Sequence, residues 1–244
     1  MTMTRRHGRI FTGGRGLQLT VIAFCAGLLA LMWIGLAYQL SFERDYAIER
    51  RESENGNLAR LFEEHVRRTV AAASVTIKQL EAEYRQHGEG LDLARYLRDR
   101  QEELAPYTVL SVVDERGDLI LTNFPFTKPQ NFRNFENTQF HMRDASPDVF
   151  IAKPRPGTVT GRSTIYLTRR MNKADGTFGG NTGVGMDPQY FSSFYDQIDL
   201  GAGSVVVLIG RDGVIRARRS GTTSSEKAVG RDIRDMHGAE LFTV

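Results

Sequence analysis

Residues 163–186 read STIYLTRRMNKADGTFGGNTGVGM, and the organisation of the chain follows from how these side chains alternate. Ser163–Met171 is rich in β-branched, aromatic and apolar residues and predicts a strand. Asn172–Gly176 supplies the residues of a tight turn, and Thr177–Met186 predicts the returning strand of a hairpin. Successive side chains on a strand point to opposite faces. Ser163, Ile165, Leu167, Arg169 and Met171 therefore share one face, the more apolar and the better candidate for the core side. Arg162, Thr164, Tyr166, Thr168 and Arg170 take the other. That polar face is either a solvated strand surface or the floor of a pocket. In a pocket its charge would favour an anionic or carboxylate ligand. The glycines of Gly179–Gly185 lack a following Gly-Lys-Ser/Thr and do not open a helix, so a phosphate cradle is excluded. They read instead as positions where a neighbouring strand comes close.

Working outward, Thr108–Val113, Asp114–Gly117 and Asp118–Asn123 predict a second hairpin upstream. A Pro/Asn/Phe-rich connection over 124–149 contains a short helical piece around Asn137–Asp144, and Val149–Lys153 reads as a further strand. Pro188–Asp199 is a second helical patch. The strand–turn–strand pattern then returns in Ser204–Ile209, Gly210–Gly213 and Val214–Arg218, with Gly213 standing 96 residues after its counterpart Gly117. A duplication is the simplest account. Only 31 residues follow Gly213, so the second copy is expected to be incomplete.

Upstream of the hairpins the period is helical from Ser41 to about Tyr107. Leu58, Phe62, Val66, Val70, Ala73, Ile77, Leu80 and Tyr84 recur at steps of three or four, with Glu63, Glu64, Arg67, Arg68 and Lys78 off the stripe. Such a stalk predicts packing on its own domain and, as a further expectation, a homodimer contact. Asn55-Gly56 and His87–Gly90 are its candidate interruptions. Before it, Leu17–Leu40 runs 24 residues without a charge, long enough to span a bilayer and too long for a cleaved signal peptide. Arg5, Arg6, Arg9 and Arg15 precede this span and Arg44, Arg50 and Arg51 follow it, which leans toward a cytoplasmic N-terminus. The expected domains are thus a basic tail (1–16), a transmembrane helix (17–40), stalk helices (41–107), a first α/β module (108–200) and the start of a second (201–244).

The formal net charge of +3 belongs to the tail, whose four arginines leave 28 basic against 29 acidic residues over the remainder of the 244-residue chain. A neutral body argues against a nucleic-acid partner. The single cysteine, Cys25, lies inside the apolar run and permits no internal disulfide. His7, His65, His87, His141 and His237 are scattered without metal-ligand spacing, and no local signature gathers a catalytic triad. No metal, cofactor or catalytic residue is therefore expected in this chain. Arg143, Arg162, Arg169, Arg170 and Asp187, with Phe140 and Tyr166, are the residues from which a ligand pocket could be built.

The order of segments carries a resemblance. A signal anchor and a long helix precede DERGD (114–118), QFHMRDASPDVFIAKP (139–154), GRSTIYLTRRMNKADGTFGG (161–180) and GVGMDPQYFSSFYDQIDLGAGSVVVLIGRDGVIRAR (183–218). Over about residues 41–235 this resembles the double Cache (PDC-type) sensors found ahead of GGDEF and EAL domains and of some histidine kinases. The resemblance implies an α+β fold: a transmembrane helix and stalk, then a PAS-like antiparallel-sheet module facing the periplasm, then the start of a second. It places the ligand in the membrane-distal module. By position it assigns His141 and Arg143 to the end of the short helix, Arg162, Tyr166 and Arg170 to the pocket-side strand and Asp187 to the end of the next strand. With Phe140, these are the candidate ligand-binding residues. Asn134–Thr138 reads NFENT where relatives have Asp-Arg-x-Tyr-Phe, and Ser163 stands where many have tryptophan, which points away from an α-amino acid. The implied function is a sensory input region in the bacterial inner membrane, binding a small extracytoplasmic ligand. Its output lies outside this chain: cyclic-di-GMP synthesis first, a histidine kinase or chemoreceptor signalling domain second. A membrane-tethered extracytoplasmic enzyme or adaptor is the reading from a different class.

Overall fold

The structure is a computed structural model that describes residues 14–125, 129–157, 161–193, 204–220, 223–224 and 228–236. The chain divides into two units, Met1–Arg60 and Leu61–Val244, and helix α1 (Gly14–His87) contributes to both. In the first unit the apolar side chains are exposed all round, Leu31, Trp33 and Tyr38 among them. A helix that is apolar on every side has no face to bury in water, and this stretch is long and apolar enough to cross a membrane. The helix is continuous through Asn55-Gly56 and ends before Gly88, whose φ of 58° breaks the helical path.

In the second unit the α1 stripe is the core. Ala73, Ile77 and Leu80 are fully buried, with Val66, Val70 and Tyr84 packed at the margin. The charged residues stay outside, with Glu63–Arg67 (2.7 Å) and Glu64–Arg68 (3.7 Å) paired one turn apart. Two short helices, α2 (Leu93–Asp99) and α3 (Gln101–Leu104), lead into the sheet.

Strands β1 (Tyr107–Asp114), β2 (Leu119–Thr122), β3 (Phe150–Ile151), β4 (Arg155–Pro156), β5 (Ser163–Asn172) and β6 (Phe178–Met186) form one antiparallel sheet. Its order is β2-β1-β6-β5-β3, with β4 also on β5. The expected alternation holds: Ile165, Leu167 and Met171 join Leu110, Val112, Val184 and Met186 in the cluster that faces α1. Arg169 shares that face and is held at its edge by Glu81 of α1 (3.4 Å) and the Pro147 carbonyl (2.7 Å). Contrary to the solvated-surface alternative, the opposite face is also covered from Thr164 to Arg170, while Arg162 is exposed as that alternative has it. Thr164, Tyr166, Thr168 and Arg170 are all buried: helix α4 (Glu136–Arg143) packs on this face, β3 and β4 extend the sheet at the β5 edge, and the Arg155 side chain reaches over Tyr166. Gly183 and Gly185 leave room on this face for side chains of the neighbouring strands. A Cβ at Gly183 would meet Thr168 Cγ2 at 2.6 Å, and one at Gly185 would meet Thr164 Cγ2 at 2.8 Å.

Helix α5 (Pro188–Ser192) follows, capped by Asp187, and the expected helical continuation to Asp199 lies outside the described residues. Strands β7 (Val205–Ile209), β8 (Ile215–Ser220) and β9 (Thr223–Ser224) form a second, three-stranded sheet. Its hairpin repeats the first in detail. Gly117 (φ 91°) and Gly213 (φ 83°) close equivalent turns, each with its N–H on the carbonyl three residues earlier (3.1 and 2.9 Å). Each pair carries a register shift just before its turn, Val112/Val113 and Leu208/Ile209. The likeness continues past the strands: Phe132 N–H donates to the Gly117 carbonyl and Ile233 N–H to that of Gly213. Bridges Asp118–Asn131 and Val214–Asp232 stand in the same relation.

Candidate ligand pocket

The covered face of the first sheet encloses a cavity of about 30 Å³, room for roughly one water. Its walls come from the sheet, from the α4 side and from β4. β1 contributes Val109, Ser111 and Val113; β2 contributes Leu119 and Thr122; β5 and β6 contribute Tyr166 and Asn181. Phe132 and Asn137 close it from the α4 side, and Arg155 of β4 from the end. The strand period brings the sheet residues to one side, and the pairing of Arg155 with Thr164 lays β4 across the strand that carries Tyr166.

Among the described residues, Arg155 is the one charged residue in this lining. Its guanidinium carbon lies 4.2 Å from the Phe135 ring centroid and 4.4 Å from that of Tyr166. Burial pushes its pKa down, while Tyr166 and the Glu136 carboxylate act the other way. An arginine stays charged under such a shift. Burial likewise raises the Tyr166 phenol, opposed by Arg155. Among the described residues, the side chains of Arg155, Asn137, Tyr166, Ser111 and Thr122 make no hydrogen bond with protein. Asn181 differs: its amide donates to Thr138 Oγ1 at 3.2 Å. Their polar atoms are not fully buried, so these uncommitted donors and acceptors are open to water or to another bonding partner.

The seven residues expected from sequence do not converge there. Tyr166 alone lines the cavity. His141 and Arg170 form an internal brace on the same face. His141 is fully buried, with Nε2 2.9 Å from Thr168 Oγ1, and Arg170 donates to the His141 carbonyl and to Asn172 Oδ1 (2.6 Å). Desolvation is the main cause that lowers the His141 pKa from 6.5 to about 4; the Thr168 bond opposes it and the Arg170 charge assists it. The ring is therefore neutral near pH 7. Phe140 stacks on Phe150 (4.3 Å between centroids), and with Arg143 it borders a separate, more open pocket of about 610 Å³ between α4 and β3. Arg162 and Asp187 pair at 3.3 Å at the opposite end of β5, where Asp187 also caps α5. Asp187 thus lies near one of the three residues of that strand face, Arg162, and far from Arg170. The register pairs Arg170 with Asn181 instead, and eight residues at about 3.3 Å each separate the two arginines by about 26 Å. One small ligand cannot reach both.

Sequence reasoning passed over Arg155, Asn137 and Asn181. Alternation within Thr177–Met186 would have found Asn181, which shares its face with Gly183 and Gly185. Arg155 sits in a two-residue strand between prolines, where no period exists to read.

No family model matches the sequence, and no curated protein does. Solved structures do match. The extracellular domain of rpHK1S-Z16, named as a histidine kinase, aligns over 74% of this chain and 73% of its own at 22% identity and a TM-score of 0.63. The ligand-binding domain of the Pseudomonas fluorescens chemoreceptor CtaA, solved with L-serine, aligns over 76% and 78% at 13% identity and a TM-score of 0.56. That of the Pseudomonas aeruginosa PAO1 amino-acid chemoreceptor PctB, solved with L-Gln, aligns over 66% and 64% at 13% identity and 0.51. With its long N-terminal helix, its antiparallel sheet and its repeated hairpin, this chain has the Cache-type fold of extracellular sensory domains.

Proposed function

We propose that the chain is a membrane-anchored sensory input region whose ligand binds in the cavity beneath α4 and β4. One observation carries this reading: five polar side chains, one of them a guanidinium, surround an enclosed space without hydrogen-bonding to protein. These groups keep some contact with solvent, so an occupant would exchange their water for its own hydrogen bonds, each worth roughly 0.5–1.5 kcal/mol net. Binding would reshape the covering layer on one face of the sheet, while α1 packs on the other face and leads toward the apolar span. The decisive test is a thermal-shift screen of small molecules on the whole chain in detergent, repeated with Ser111→Val, whose methyl groups occupy the cavity. Compounds that raise the Tm of the parent and not of the variant support the reading. Compounds that stabilise both equally place the ligand elsewhere and sink it.

The sensor side is extracytoplasmic in this proposal, supported by the tail arginines and by the extracellular domains that share the fold. A reporter that works only in the periplasm, fused after Asp199, is expected to be active. Activity of a cytoplasm-only reporter at that site reverses the orientation. The order of sequence segments favours cyclic-di-GMP synthesis as the output, in a domain outside this chain. A second output, a histidine kinase or chemoreceptor domain, is favoured by the solved structures that share the fold. A homodimer through the α1 stalk belongs to the same proposal.

A further inference from the structure

We infer that the chain carries a second binding site, separate from the cavity of the first sheet, for a neutral and mostly apolar molecule of one or two rings. The site is a concave pocket of about 480 Å³ where three parts of the chain meet. Helix α1 supplies Val66 and Val70, the first sheet supplies Phe150 and Ile165, and the second hairpin supplies Leu208 and Ile209. A dry apolar cavity of about 150 Å³ holds one benzene. This pocket therefore has room for one or two rings, with water on its open side. Among the described residues, the first cavity has no wall from α1 or from the second hairpin. An occupant of the second pocket would touch both together with the first sheet, so its binding is coupled to how the three pack.

Four charged residues also line the pocket, and they decide against a charged occupant. Glu136 accepts from Lys153 N–H at 3.2 Å and pairs with Lys153 Nζ at 3.9 Å, and Asp212 pairs with Arg216 at 2.9 Å. Arg211 is exposed, where an ion pair adds little. An ion entering the apolar part would give up its hydration and find no free counter-charge there. Arg216 supplies the orienting group. It is 7% exposed, and its terminal nitrogens donate to Asp212 (2.9 Å) and to the Val214 carbonyl (3.2 Å). Its Nε–H is buried with no hydrogen-bond partner among the described residues, which is uncommon for such a group. That N–H is closed to solvent as the side chain stands. A small turn of the guanidinium toward the pocket would offer it to a carbonyl or ether oxygen. Asp212 already balances the charge, so a neutral acceptor suffices.

The probes are acetophenone, benzoate and benzylamine, single-ring molecules that are neutral, anionic and cationic near pH 7. They are added at equal free concentration to the whole chain in lipid nanodiscs, with Tm as the readout. Acetophenone is expected to raise Tm, and each charged probe to bind at least about tenfold more weakly. Ile209→Trp, whose ring would fill the mouth, should abolish the acetophenone response. Arg216→Lys keeps a charge for Asp212 but lacks the Nε–H, and should weaken acetophenone about fivefold. The comparison among the three probes needs no variant, so a misfolded Arg216→Lys leaves the inference testable. Benzoate or benzylamine stabilising as well as acetophenone overturns it, and so does the absence of an acetophenone response. A response that survives Ile209→Trp, as a shift acting through the bilayer would, overturns it too. Loss of the response in Ser111→Val would put the probe in the first cavity and equally sink the second site.

Discussion

The β1–β2 and β7–β8 hairpins are nearly the same local object with different surroundings. Both turn on a glycine with φ near +90°, both carry a register shift before the turn, and both receive a later backbone N–H on the turn glycine's carbonyl. The first is continued by β6 and β5 into a sheet whose outer face is covered by α4 and by the side chain of Arg155 from the edge strand β4. The second, among the described residues, is joined only by β9. Strand, turn and bulge are thus written into about a dozen residues. A cavity is not. It needs a second layer laid over the sheet, and that layer comes from a segment with little regular structure of its own. The ligand chemistry proposed here belongs to that layer as much as to the strands.

The largest effect that separates the two regions is expected from pH. The first module holds a buried neutral histidine, His141, and the described residues of the second copy hold none. Because the folded pKa (about 4) lies below the ordinary 6.5, the unfolded chain binds the proton first as pH falls. Stability from this group is fully present above pH 6.5 and is lost progressively down to about pH 4, a loss of about 3 kcal/mol at 1.36 kcal/mol per unit. Urea unfolding between pH 7 and pH 4 should show that slope, and His141→Gln should flatten it. An unchanged slope in the variant would assign the acid sensitivity to carboxylates instead.

A smaller and more local effect tests the repeat. Alanine at either turn glycine is strained by its positive φ, at roughly 1–2 kcal/mol. At Gly117 the new Cβ would also lie 2.6 Å from the Arg133 backbone nitrogen, whereas at Gly213 the nearest atom is Asp232 Oδ1 at 3.1 Å. Backbone cannot swing away and a carboxylate can. Gly117→Ala should therefore cost about 2–4 kcal/mol in urea unfolding, and Gly213→Ala about 1 kcal/mol. Equal losses would mean that the two turns are held with equal rigidity and that the duplication extends to their packing.

Most of the regular structure was legible in the sequence because it rests on period and turn chemistry. Ile165, Leu167 and Met171 fall on the α1 side as alternation requires, and Phe62, Ala73, Ile77 and Leu80 fall on the buried stripe of α1. The candidate site was only partly legible. Alternation placed Arg162, Tyr166 and Arg170 on one strand face without measuring the distance between them, and a strand spreads its residues along a line. It also had no means of telling that Arg170 donates to the His141 carbonyl, 29 residues earlier in the chain.

The sequence by itself determined the apolar span, the amphipathic helix, the two hairpins and the kinship between them, since each depends on neighbours within a few residues. Tertiary structure alone decided which polar side chains are uncommitted. Arg155 becomes a site residue because β4 pairs with β5 and lays its guanidinium against Phe135 and Tyr166, and Arg170 ceases to be free because α4 ends where its donors reach. Whether a charge is available to a ligand depends on what else has claimed its hydrogen bonds. That is set by contacts between segments far apart in the chain, which no local pattern encodes.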